Sequence, residues 1–342
     1  MKKITWIILI FTGVLTAALA GLWVYIGGVL RGLERKEDGG AIAGRHYAFI
    51  TEDTSDLWRA VYESASVQAA AGGDVLEWVG EGDFFEYTTR DRMQIATASG
   101  VDGIILYKKD LSDMTDLIEE AEEAGIPVVT VLSDNSDSSR ISYVGISSYE
   151  AGELLGREAA KAFSSGENSV MVLMDAGSGE GPSSLVFSTM LSAAEREKAP
   201  DATFTFRAVR VNTASGFEAE EDIRDIFVGG NPLPDILICL DLVSTECVSQ
   251  ALVDYNQVGN VEVIGYYGSE TVLRAVEKGV VRATLGIDTE RIGISCIEAL
   301  DEYYTLGIAN NYYSVPVMMI DGDNADAFLA AVSGEEEAEE QT

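Results

Sequence analysis

The chain has 342 residues, with 57 acidic side chains against 23 basic ones, a formal net charge of −34, one histidine and three cysteines. Such a field opposes nucleic-acid binding, where affinity comes mainly from Lys and Arg neutralising phosphates; its plain reading is a soluble, strongly charged surface. Cys239, Cys247 and Cys296 make no paired disulfide framework, no C-x-x-C and no cluster with histidine, so they read as small buried hydrophobes and no metal or cofactor is expected.

In chain order, Ile4 to Leu30 carries no charge. At about 1.5 Å per residue that run exceeds the roughly 30 Å apolar core of a bilayer. Lys2 and Lys3 precede it, and Trp6, Trp23 and Tyr25 suit the interfaces. Ala18-Leu19-Ala20 resembles a signal-peptidase site, so a cleaved export signal competes with an uncleaved anchor. Leu22 stands where a lipoprotein box needs its cysteine, and the apolar run continues past Ala20. Both favour a signal anchor over residues 1–30, holding the chain on the outer face of the cell membrane. Residues 31–45 read as a charged, glycine-containing linker, and residues 331–342 as an acidic, solvated tail.

From His46 onward, short apolar runs alternate with helix-like segments. Strands are expected at Tyr47–Thr51, Val75–Val79, Gly103–Tyr107, Val128–Leu132, Tyr143–Ile146, Val170–Met174, Thr203–Val209, Ile236–Leu240, Val261–Tyr266 and Ala283–Ile287. Ser147 and Ser148 are placed to cap a helix over Tyr149–Phe163. Strands alternating with helices imply parallel sheets covered on both faces. The roughly 295 residues after the linker are too many for one such core, so two lobes are expected.

Several pieces, in order, carry a resemblance. Pro127-Val-Val-Thr, Ser133-Asp134, Arg140 and Tyr143-Val-Gly followed by Tyr149-Glu-Ala-Gly look like the first crossover of type I periplasmic sugar-binding proteins, the ribose/galactose-receptor family that shares its fold with LacI-type repressors. The likeness recurs in Val253-Asp-Tyr-Asn, Val263-Ile-Gly-Tyr-Tyr and Ala283-Thr-Leu-Gly-Ile-Asp with Ile292-Gly293, and spans His46 to Ile320. It implies an α/β fold of two doubly wound parallel-sheet lobes joined by a three-strand hinge. Residues 46–147 with 288–314 would make the first lobe, and 148–287 with 315–330 the second. It also implies an extracytoplasmic, non-enzymatic receptor that closes on a small sugar-like ligand and delivers it to an ABC permease. The alternative is a membrane-anchored co-receptor for a histidine kinase or chemoreceptor, and a structural or adhesion module is a third class. A repressor is excluded by the charge and by an export segment where the DNA-binding headpiece would be.

Open α/β sheets bind ligands beyond their strand C-termini. Those positions offer Thr51, Ser55, Trp58, Lys108 and Asp134 from the first lobe, Ser147, Ser148, Asp241 and Tyr267 from the second, and Asp288 at the second crossing. Carboxylates would take hydroxyls and the aromatics a sugar ring's C–H face; Lys108 would balance Asp134 or Asp241, or meet an anionic group. Asp241 and Trp58 have competing structural readings, as a helix cap and as sheet packing. Against the family pattern, Ser147-Ser148 stand for an Asp-Asn pair, Ser184–Met190 lacks an arginine, and Tyr267 and Ile287 replace an acid and a Gln-like residue. The loop Asp175–Ser184 has G-x-G-x-G spacing with Glu180 inside it, which fails as a dinucleotide loop and reads as a loop over the cleft. His46, the one histidine, sits at the linker boundary, and no nucleophile elbow is present, so an enzyme has little to stand on.

Overall fold

The computed structural model describes residues 44–333 except 53, 81–86, 178–180 and 214. The expected anchor, nearly all of the linker, the tail beyond 333 and the heart of the Asp175–Ser184 loop lie outside the described residues. None of the described helices is long and apolar enough to cross a membrane.

Two six-stranded sheets organise the described chain. The first runs β11-β5-β4-β3-β1-β2, from Tyr312–Val315, Ser142–Ile146, Val128–Val131, Gly103–Leu106, His46–Ile50 and Val75–Trp78. All of its pairings are parallel. The second runs β12-β10-β9-β8-β6-β7, from Val317–Asp321, Ala283–Ile287, Glu262–Tyr266, Ile236–Cys239, Gly166–Asp175 and Ala202–Val211. Only β12 is antiparallel, against β10. The central strands β3, β4 and β8 are buried at every residue. They read as continuous apolar runs because helices cover both faces of a parallel sheet.

The helices are α1 (Asp56–Gly72), α2 (Thr89–Ser99), α3 (Thr115–Glu123), α4 (Ser148–Ala162), α5 (Gly181–Glu197), α6 (Gly216–Val228), α7 (Leu242–Asp254), α8 (Glu270–Glu277), α9 (Thr289–Leu306) and α10 (Ala325–Ser333). The chain passes from the first sheet to the second after β5, returns after β10, and crosses again between β11 and β12 with Pro316 alone between them. α9 returns to lie against α1 in the first core, where Ile292, Cys296 and Leu300 pack with Val61, Ala65 and Phe49. That approach needs Gly293, whose added Cβ would sit 2.5 Å from the Val61 carbonyl oxygen and 2.6 Å from the Ala65 nitrogen.

The sequence expectations locate ten strands to within a few residues and miss β11 and β12. β11 is a half-exposed edge strand and β12 follows it with no turn, so neither stands out as an apolar run. β6 and β7 are longer than expected, ten residues each, because they pair in register from Gly166↔Ala202 to Asp175↔Val211. Cys239 and Cys296 are buried as expected, whereas Cys247 is half-buried. His46 is partly exposed and lies 3.0 Å from Glu77.

Candidate functional site

Lys109, after β3 of the first sheet, meets Asp175 at the end of β6 in the second, and each side chain at these strand ends is placed by the element it ends or begins. Thr51 follows β1 and is fully buried; the Trp78 indole N–H donates to its hydroxyl at 3.1 Å, and Arg92 donates to its carbonyl at 2.9 Å. Ser55 is the N-cap residue of α1. Trp58, one turn on, is 2 % exposed and lies against Tyr107 with ring centroids 4.1 Å apart. It also packs on the first sheet beside Phe49.

At the end of β3 the adjacent lysines part. The Lys108 ammonium turns back onto the loop that follows its own strand, 3.1 Å from Asp113 and 2.8 Å from the Asp110 carbonyl oxygen. Asp134, one of its expected partners, is instead gripped by Arg140, with Nη2 at 2.8 Å from Oδ2 and Nε on Oδ1. Thr130 also donates to this carboxylate at 3.2 Å. Arg140 itself is nearly buried and reaches Asn311, before β11, at 2.8 Å.

Lys109 reaches from the first sheet to the second. Its backbone N–H donates to Glu52, just after β1 of the first sheet, at 2.8 Å. Its ammonium lies 3.1 Å from Asp175 at the end of β6, and donates to the Thr213 hydroxyl at 2.6 Å and carbonyl at 3.3 Å. Thr213 in turn donates to Asp175 at 2.6 Å. Burial pushes the Asp175 carboxyl up, but the Thr213 hydrogen bond and Lys109 outweigh it and hold the group below the ordinary carboxylate range.

Around the second sheet and at the return crossing, three of the polar residues expected to meet a ligand, Ser147, Asp241 and Asp288, cap helices. Ser147 accepts from the Glu150 N–H at 3.2 Å, and Ser148 is the first residue of α4. Asp241 accepts from the Ser244 N–H at 2.8 Å and its hydroxyl at 2.7 Å, capping α7. Burial raises its pKa, while Ser244 and Lys109 pull it down. Asp288 caps α9 through the Arg291 N–H at 2.8 Å. Tyr267 takes a left-handed backbone (φ 66°), fixed by its N–H donating to the Leu285 carbonyl at 2.7 Å and by Thr284 donating to its own carbonyl at 2.6 Å. Its ring lies 4.6 Å from that of Tyr266. Burial pushes the Tyr267 phenol well up, and Tyr266, Tyr107 and Tyr143 add to the shift.

Sequence reasoning singled out Lys108 at the end of β3 and not Lys109, the lysine that reaches the second sheet. Both lysines lie in the loop after β3, where the alternation of a strand no longer applies, so no signal in the sequence separates them. A separate groove of about 250 Å³, lined by Phe217, Ile223, Cys247, Ala251 and Tyr255, lies on helices α6 and α7 rather than between the strand ends.

No curated protein matches the sequence. Among solved structures, the fold is similar to GanP, a glucose-galactose binding protein from Geobacillus stearothermophilus (21% identity over 82% of this chain and 98% of that one, TM-score 0.69). It is also similar to a solute-binding protein of an ABC transporter from Agrobacterium vitis, bound with α-D-tagatopyranose (18% identity, 84% and 98% covered, TM-score 0.71). A third likeness is to a XylFII–LytSN complex (22% identity, 83% and 99% covered, TM-score 0.65). At these identities the likeness establishes the fold. The family described as periplasmic binding protein domain matches residues 47–307, three quarters of the chain, and the protein belongs to that family.

Proposed function

We propose that the protein is an extracytoplasmic solute receptor whose lobes close on a small polar ligand of the sugar class, for delivery to an ABC importer. The observation that carries this reading is the bridge between the sheets: Lys109, in the loop after β3 of the first, lies 3.1 Å from Asp175 at the end of β6 in the second, with Tyr107 and Tyr267 just after the ends of β3 and β9. A closed state that contacts a ligand from both sides binds it better than an open one, so ligand drives closure. The structural neighbours that are described as sugar-binding support the ligand class. The ligand-facing set we propose is Tyr107, Tyr267, Asp175 and Asp241, with Lys109 at the rim, and the uncharged run from Ile4 to Leu30 as tether.

A thermal-shift screen of monosaccharides against residues 40–342 tests the reading. A sugar at a hundred times its Kd adds about 2.7 kcal/mol of stability. No shift with any sugar at millimolar concentration would sink it. The second reading, a membrane-anchored co-receptor for a histidine kinase or chemoreceptor, is favoured by the neighbour solved in complex with LytSN. Co-purification of a kinase, without a permease, would favour it.

A further inference from the structure

We propose that Lys109 and Asp175 form an interlobe latch, which holds the two lobes together through the protein's own side chains before any ligand is bound. This rests on the reading that the lobes move, and says in addition what opposes their opening.

The latch is assembled from both sides. On the first lobe, Lys109 is fixed by its N–H bond to Glu52 at 2.8 Å, so its ammonium starts from a defined point. On the second, Asp175 is 6 % exposed and is oriented by Thr213 at 2.6 Å and by the Gly177 backbone N–H. The ammonium finds both the carboxylate and the Thr213 oxygens there. Asp241, also close enough to feel Lys109, adds a second negative charge on the same side. Lys109 thus meets an acidic second-lobe wall, and a charge-assisted bond to a nearly buried partner is stronger than an ordinary surface pair. Lys108 does not duplicate the contact, because it is spent on Asp113 in its own lobe. A latch of this kind raises the closed fraction in advance, so that apparent affinity depends on latch strength as well as on ligand contacts.

Pulsed electron paramagnetic resonance on the full chain in mild detergent tests this without sugar. Nitroxides are placed at Val67→Cys on α1 and Val253→Cys on α7, both exposed, in a Cys247→Ser background. We expect one short interlobe distance in the parent. Lys109→Met and Asp175→Asn should each lower the closed-to-open ratio roughly tenfold, the size of one charge-assisted hydrogen bond. The double variant should go no further than either single one, and the exchange Lys109→Asp with Asp175→Lys should recover the short distance. If a variant fails to fold by circular dichroism, Thr213→Val, which keeps both charges but removes one acceptor, should still show a smaller loss. An unchanged short distance in all folded variants, or an open parent, overturns the latch. A sugar-dependent melting shift alongside unchanged distances would remove the latch and keep the receptor; latch-dependent distances with no stabilising sugar would do the reverse.

Discussion

At the scale of single residues, the helix cap and the ligand carboxylate compete for one position. A strand end in an α/β unit is also where the next helix begins, so an acid placed there is equally suited to either job. Asp241, Asp288 and Ser147 all cap. Asp241→Ala should therefore lower stability by about 1 kcal/mol in urea melts, and Asp241→Asn by clearly less, since Asn caps almost as well. Equal stability of the alanine variant and the parent would return Asp241 to the ligand set alone. Asp175 makes a different forecast. Its folded pKa lies below its unfolded value of about 3.9, so its contribution is present above that value and fades as pH falls through the lower folded pKa. The stability gap between parent and Asp175→Asn should be full at pH 7 and shrink below pH ~4. A gap that does not narrow in acid would mean that the carboxylate charge is not what Lys109 and Thr213 hold.

At the scale of elements, what was legible in the sequence tracks burial. Val128–Val131 and Ile236–Cys239 declare themselves because every side chain is apolar and both faces are covered. Tyr312–Val315 does not, because an edge strand keeps polar and exposed positions, and β12 begins directly after Pro316. The candidate site was legible as a set of strand ends and illegible as a set of side chains. Sequence places Lys108 and Lys109 at one edge, and only the backbone direction decides that one pairs with Asp113 while the other crosses to Asp175. Helix contacts were hidden for a similar reason: Ile292-Gly293 reads as a motif, but the Val61 carbonyl pressed against Gly293 lies more than two hundred residues away. Gly293→Ala should push α9 off α1 and cost roughly 1–3 kcal/mol, read as a lower urea midpoint with an unchanged slope. A midpoint equal to the parent's would show that the two helices separate without penalty.

For the molecule as a whole, placement in the cell and the field around it belong together. A formal charge of −34 repels an anionic bilayer surface, so a free chain would not linger there, and the tether we propose is the uncharged N-terminal run. The expected result is a full-length chain in the membrane fraction by intact mass. A mature chain beginning at Gly21 and free in the medium would replace the anchor with a cleaved export signal.

The three passages of the chain between sheets bear on how the protein is made. The first sheet receives its edge strand, and its core receives α9, only from residues 289–315, after the whole of β6 to β10 has been laid down. During synthesis and export the first 146 residues therefore emerge with the α1 face at Val61 and Ala65 uncovered, and must wait for Ile292 and Cys296 to arrive. Pairings of such wide sequence separation close slowly, and uncovered apolar faces invite aggregation meanwhile. The second lobe, by contrast, lacks only β12 and α10 when the chain has reached residue 288. A chain cut after Asp288 should then show protease protection over residues 148–287 and rapid digestion of 46–147, so the earliest-made lobe is the last to mature.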